Sequence, residues 1–456
     1  MEDWAADVAS REAMPTTSIA RNSAEGRARA TRYLLLLLLA LAFSAPLPHP
    51  QPVPNSEARQ RWEHVGSVPV LHLCGEPYEM GLGQGSLLRQ RLQQFVQDYL
   101  YSHVILERNA AYAWLVAYAR LLESQLPLDV LQELQGIADG ANLPYQDVLL
   151  LNLIPELVAL TGRLPSWNPS PSLFSLAQEG SAPWPGSSLC SSFAAWGEAT
   201  EDGQLLIGYN LEEDVANAAH PYLVVMVRHP SHGNAFVSLG LAGTVGVWAG
   251  MNEQGIAVAL SSAPSADVAQ TGLPLPLLLR RVLESSGDLP TAINILLAGK
   301  RLCGGNVVLA DGKAPEAVAI EMSAHRQAVL EADTQGGTLA RTNHFVTPEL
   351  AMTQQDILPE RDRAASQARL DRLQTLLEVN YGWLGKEKGV ALLMDTYTTR
   401  QDNVSTTVHE PRALESILFQ PGQLMMQMVQ NGGNTPSRPF LNLTMDLSQS
   451  QCLESP

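Results

Sequence analysis

The sequence predicts an α+β fold in which antiparallel sheets are covered by helices. Three observations predict it. Past residue 190 the chain falls into short apolar or alternating runs, such as "QLLIGYN", "PYLVVMVRH" and "GIAVALSS", bounded by turn residues. Stretches near 83–160, 273–299 and 360–394 instead repeat their apolar residues every three or four positions. Strands in runs, then helices, then strands again favour layered sheets over the strict alternation of a parallel fold.

Taken in order, the first element is "RATRYLLLLLLALAFSAPLPHPQPVPN", with arginines ahead of an apolar block at 33–43. Eleven apolar residues are too few for a membrane span, which needs about 20. The block reads as an export signal cut after Ser44 or Ala45. Its long leader leaves two alternatives, a start at Met14 or an uncleaved membrane anchor. The expected compartment is therefore secreted, periplasmic or endomembrane lumen, with anchoring as the alternative. "VGSVPVLHLCGEPYEMGLGQG" reads as a strand, a glycine-rich turn and a helix from about Gly83. The glycines lack the G-x-G-x-x-G spacing of a dinucleotide site and instead suit close helix packing. Two amphipathic helices follow, broken at "DGANLP". After the strands that begin at Cys190 come two helices, "LPLPLLLRRVLESS" and "LPTAINILLAG". Further strands are expected at "NVVLAD", "AVAIEMS", "QAVLEA" and "TLARTNH", helices at 360–377 and 385–394, and final strands near "VSTTVHEP" and "ALESILFQ".

Charge narrows the function. With 29 basic and 46 acidic side chains the formal charge is −17, which argues against a nucleic-acid partner. The four cysteines, Cys74, Cys190, Cys303 and Cys452, show no CxxC spacing, which argues against a structural zinc site. Export would leave a Cys74–Cys303 bridge open.

Cys190 stands at a seam. Before it, "RLPSWNPSPSLFSLAQEGSAPWPGSSL" holds five prolines and reads as an exposed connector; after it, "SSFAAWGEATEDGQLLIGYN" reads as a hairpin. A thiol needs a base to become a nucleophile. A cut just before Cys190 would create an α-amine of pKa about 7.7–8.0, supplying nucleophile and base from one residue. The competing reading is a buried cysteine that merely fills a core. No papain-type signature surrounds it, and the chain has no H-E-x-x-H, G-x-S-x-G or P-loop motif.

"CSSFAAWGEATEDGQLLIGYNLEED" resembles the start of the mature chain in N-terminal nucleophile hydrolases of the penicillin acyl-CoA:isopenicillin N acyltransferase family. "EPYEMGLGQG" and "ELQGIADGANLPYQDVLLLN" are similar to the family's pro-region, "WAGMNEQGIAVALSS" to its central hairpin, "GGNVVLAD" to a later strand and "RTNHF" to its oxyanion segment, in order over roughly 65–440. More distant relatives are bile salt hydrolases, penicillin V acylases and acid ceramidase. The resemblance implies a four-layer αββα sandwich. It divides the chain into a leader at 1–45, a Pro-rich linker at 46–64, a pro-region at 65–189 ending in the connector 163–189, and a catalytic chain at 190–456. It further implies self-cleavage of the Leu189–Cys190 bond, Cys190 as nucleophile, Glu212 orienting amine and thiol, and Asn343 donating to the oxyanion. Ser261 is implied as a backbone donor to the same oxyanion, with Asn210, Asn306 and Arg369 as supporting candidates. Substrates would be small N-acyl amides or acyl-CoA, and the chemistry asks for no cofactor and no metal.

Three positions depart from the family pattern: Tyr209 for Arg, Glu212 for Asp, and Leu189 for Gly before the nucleophile. Tyr209, Leu189 and the long leader at the N-terminus support the rival expectation of an unprocessed, non-catalytic protein that binds an acylated ligand or an envelope partner. His344 reads as a structural histidine, and Asn403 and Asn442 head glycosylation sequons.

Overall fold

The apolar runs after residue 190, together with two earlier ones, pair into two sheets in the computed structural model. It describes residues 60–65, 68–107, 110–161, 190–212, 219–333, 336–397, 407–409, 413–430, 441–444 and 447. All of these belong to the unit Pro50–Pro456. The apolar block at 33–43, the connector, Leu189 and Asn403 lie outside the described residues.

The larger sheet contains β1 (Arg61–Val65), β2 (Val68–Gly75), β5 (Leu223–Pro230), β6 (Phe236–Leu241), β7 (Ala249–Asn252), β8 (Ile256–Ser262), β9 (Gly305–Asp311), β10 (Glu316–Met322) and β11 (Gln327–Leu330). They lie side by side in that order. The smaller sheet runs β12 (Thr338–Arg341), β3 (Ser191–Gly197), β4 (Gly203–Glu212), β13 (Ala413–Gln420), β14 (Met425–Gln430) and β15 (Leu441–Thr444). Among the described strands every ladder is antiparallel except that of β2 with β5.

The sheets meet face to face. Val70, Val225, Val237, Ala257, Ala259, Val308 and Ala319 of the larger sheet share one core with Ala194, Ile207, Tyr209, Ile417 and Met428 of the smaller. The alternate residues of the same strands face helices. Leu71, Leu73, Val224 and Met226 pack under the helices α1 (Pro77–Leu87), α2 (Arg89–Phe95), α3 (Tyr112–Glu123), α4 (Leu128–Ala141) and α5 (Tyr145–Thr161), with a π-helical stretch at Val96–Glu107. Val258, Leu260, Val307 and Leu309 pack under α6 (Leu275–Ser285) and α7 (Leu289–Ala298). After the short α8 (Pro348–Ala351), α9 (Glu360–Val379) and α10 (Lys386–Leu393) cover Phe193, Leu206 and Leu418 on the far side. Helix, sheet, sheet and helix therefore stack in four layers. Burial on both faces explains why strands such as "IAVALSS" are apolar at almost every position.

The glycines of "GLGQG" lie inside α1, which starts at Pro77, earlier than the expected Gly83. A Cβ on Gly81 would meet the Glu133 carbonyl oxygen at 2.1 Å, and one on Gly136 the Tyr78 carbonyl at 2.3 Å. Two glycine faces thus let α1 and α4 cross backbone to backbone. The break at "DGANLP" is an Asn142 cap in the left-handed region, φ 54°. Three strands were not expected: β1, which occupies the end of the stretch read as a linker at 46–64, and β14 and β15. The expected strand near "VSTTVHEP" is not formed over 407–409, and its remainder lies outside the described residues.

Glu133 of α4 is fully buried between Arg228 (3.4 Å) and Arg280 (2.6 Å), and Arg280 also bonds Glu284 at 2.8 Å. This cluster ties the helical layer to β5 and α6. Glu133→Ala would leave two buried guanidiniums short of an anion, so stability should fall by about 3–5 kcal/mol. Denaturant unfolding of the purified variant measures it. Cys74 is in a disulfide, while Cys303 is a reduced thiol. The Cys74–Cys303 bridge is therefore not formed, and the partner of Cys74 lies outside the described residues. Among the described residues no helix is long and apolar enough to cross a membrane.

Candidate active site

Cys190 immediately precedes β3 and is fully buried in the uncut chain, within the core between the sheets. Strand alternation sends Cys190, Ser192 and Ala194 inward, while Phe193 and Ala195 face the outer helices. Tyr209, also inward, holds its hydroxyl 3.6 Å from the Cys190 sulfur and donates to the Leu260 carbonyl at 2.8 Å. With its proton committed to Leu260, the Tyr209 oxygen offers the thiol an acceptor. The position where the family resemblance expects Arg thus carries a neutral hydroxyl that links β4 to β8 across the sheets.

Asn343 reaches the same junction from the end of β12. Arg341 pairs with Ser192, so the loop after β12 continues alongside Cys190. The Asn343 amide nitrogen donates to the Ser262 carbonyl at 2.9 Å. Its oxygen accepts from Arg369 at 2.8 Å, and its backbone N–H donates to the Ser366 hydroxyl at 2.9 Å. Arg369, fully buried on α9, thereby fixes which way the amide points. One of the two amide N–H bonds is spent on Ser262; the other is left for a ligand.

Asn306 sits on β9 opposite Ser261. Its amide donates to the carbonyls of Thr342 (2.7 Å) and His344 (2.8 Å), bracing the loop that carries Asn343. Ser261 is buried on β8 and its hydroxyl has no hydrogen-bond partner. Asn210 is turned the other way. It donates to Leu393 (3.0 Å) and Val408 (2.8 Å), joining β4 to the outer helical layer rather than to Cys190. Glu212 ends β4 opposite Ala413, and its side chain lies outside the described residues. His344 is packed against Ser366 at 2.8 Å, and burial pushes its pKa below the ordinary value.

Sequence reasoning missed Ser366 and Glu321. Ser366 precedes Arg369 by one helical turn, so the pair shares a face of α9, a signal the spacing carried. Buried Glu321 accepts from the backbone N–H groups of Val346 (2.7 Å) and Thr347 (2.9 Å), anchoring the far end of the Asn343 loop.

A cavity opens beside Leu211, the β4 residue one register step from the Ser191–Asn210 pair. Phe95, Tyr99, Pro155, Trp248 and Glu156 line it. Burial pushes the Glu156 carboxyl up to about 8, so at neutral pH it is mostly an uncharged donor among apolar walls. Burial, helped by Glu156, also pushes the Cys303 thiol well above its usual range, which disfavours its thiolate.

Residues 199–433 match the sequence profile of a family described as acyl-coenzyme A:6-aminopenicillanic acid acyl-transferase. An uncharacterized protein of Archaeoglobus fulgidus is 28% identical over 361 residues, covering 71% of this chain and 57% of the relative. Protein dcd1B of Dictyostelium discoideum is 23% identical over 293 residues, covering 59% of this chain and 53% of the relative. The matches thus span little more than half the length of these curated relatives. Among solved structures, a Caenorhabditis elegans N-acylethanolamine-hydrolyzing acid amidase ortholog gives a TM-score of 0.37 at 17% identity, covering 51% of this chain and 93% of the other. Penicillin V acylase from Agrobacterium tumefaciens gives 0.39 at 16% identity, covering 57% and 89%. Because the profile match takes in more than half of the 456 residues, the chain belongs to the acyl-coenzyme A:6-aminopenicillanic acid acyl-transferase family.

Proposed function

We propose that this protein is a self-processing cysteine amidohydrolase or acyltransferase, acting on an N-acyl amide or an acyl thioester. The carrying observation is the meeting of Cys190, Tyr209 and the Arg369-fixed Asn343 amide at one junction of the two sheets. Cleavage of Leu189–Cys190 frees an α-amine that takes the thiol proton. The thiolate adds to the substrate carbonyl, and the spare Asn343 N–H steadies the oxyanion. Collapse of that intermediate expels the amine or thiol and leaves an acyl-cysteine. Water or an acceptor amine then takes the acyl group. Complete burial of Cys190 in the uncut chain fits a zymogen, in which nothing reaches the sulfur before processing. The cavity beside Leu211 supports an apolar acyl group.

The test is a panel of N-acyl amino acids, N-acyl lactones, β-lactams and acyl-CoA thioesters, with acid quench and peptide mass analysis. An acyl adduct on the peptide that begins at Cys190 is expected. Turnover with the adduct on another residue would contradict the proposal.

A further inference from the structure

Glu415 is buried on β13, and among the described residues neither oxygen of its carboxyl has a hydrogen-bond partner. Strand register defines where it stands. Glu415 lies opposite Leu211 of β4, and Ile417 opposite Tyr209. On the other side of β4, Ser191 pairs with Asn210, which sets Cys190 at the level of Leu211 too. Directly opposed residues share a face of the sheet, and Cys190, Tyr209, Leu211 and Ile417 all belong to the core between the sheets. Glu415 therefore faces the layer that holds Cys190, two strands away, a separation of about 9–10 Å between Cα atoms. Glutamate has the longer arm of the two acidic side chains and closes much of that gap. The ladder is also irregular here. Ala413 pairs with Glu212 and Glu415 with Leu211, so Leu414 is an extra residue, the kind of bulge that re-aims a side chain beside a site.

Nothing described around Glu415 answers its charge. On this face β4 contributes Tyr209 and Leu211 and β14 contributes Met426 and Met428; directly opposite Glu415 on β14 stands Gln430, whose side chain lies outside the described residues. Arg341, beyond Cys190 on β12, is engaged with Asp333 at 3.0 Å. The charged residues of α10, Lys386, Glu387 and Lys388, belong to the outer helical layer. Burial accordingly pushes the Glu415 carboxyl well above the usual carboxylate range, which favours its protonated form.

We infer that Glu415 is the counter-ion of the α-ammonium created at Cys190 by cleavage, a positioning residue that holds the nucleophile's own base. The inference rests on the reading of Cys190 as an N-terminal nucleophile. Before cleavage the Cys190 nitrogen is an amide and carries no charge. Afterwards it is an amine, and in the resting enzyme the carboxyl O–H of Glu415 gives its proton to that nitrogen; the proton returns to Glu415 when the amine takes up the thiol proton. Carboxylate and ammonium form together, with no change in net charge. An orphaned buried acid thereby becomes one half of a buried ion pair, and the new N-terminus is drawn towards β13.

The test uses the full chain as wild type, Glu415→Gln and Glu415→Met. Intact mass reports cleavage, and the pH dependence of Cys190 alkylation by iodoacetamide reports the site without any substrate. A nearby carboxylate raises the pKa of both amine and thiol, so its removal should shift the alkylation midpoint of the matured variants down by about one pH unit or more. On a Cys190→Ala background, which stays uncut, both substitutions should leave the melting temperature no lower, because no hydrogen bond of Glu415 is lost there; in the matured protein they remove one half of the ion pair and should lower it. An unchanged midpoint in matured variants overturns the role of Glu415 and leaves the nucleophile reading standing. Variants that stay uncut while the wild type matures also overturn it, because before cleavage there is no ammonium to hold. A wild type that never cleaves sinks the nucleophile reading itself, and this inference with it.

Discussion

Cys190→Ala is expected to remain a single uncut chain and to lose acyl transfer by a factor on the order of 10⁴–10⁶. Both losses have one cause. The N→S acyl shift that opens the Leu189–Cys190 bond and the attack on substrate use the same sulfur. The fold should persist, since alanine leaves only a small void in a core of valines, alanines and leucines, and Tyr209 keeps its bond to Leu260. Intact mass and circular dichroism of one preparation separate loss of chemistry from loss of fold. An alanine variant cut at the same bond would remove autocatalysis from the account.

Asn343→Ala should lower turnover about 10²–10³-fold, the cost of one oxyanion donor. The effect should fall on kcat more than on KM, because the donor meets charge that develops only in the transition state. Stability should drop as well. The substitution strips Arg369 of its 2.8 Å acceptor and frees the Ser262 carbonyl, both at a buried site. Arg369→Met keeps Asn343 while releasing its orientation, so it should lose less activity than Asn343→Ala. Equal rates for the two variants would mean that the amide contributes only through the way Arg369 aims it.

The layers were legible because their cause is local. A strand buried on both faces must be apolar nearly throughout, and "GIAVALSS" and "NVVLAD" are. The glycine-on-glycine crossing of α1 and α4 was legible for a similar reason, since only glycine allows backbones so close. What escaped is set by long-range register. β14 and β15 are dominated by Gln, Asn, Met and Leu with one β-branched residue each, and they pair because β13 offers β14 an edge and β14 offers one to β15. Asn210 shares the segment of the resemblance with Tyr209, yet the pleat sends the two to opposite faces. A resemblance in sequence does not record that alternation, whereas a strand of period two enforces it. Glu415 is invisible in "ALESILFQ" because nothing in the segment says that its glutamate faces inward. Only its pairing with Leu211 does.

The most direct test is the intact mass of the purified wild-type protein, followed by N-terminal sequencing under denaturing conditions. Two polypeptides held together without a covalent bond through residues 189 and 190, the second beginning Cys-Ser-Ser-Phe, are the result expected from an N-terminal nucleophile at Cys190. A single uncut chain that nevertheless turns over an N-acyl amide at full rate would contradict it.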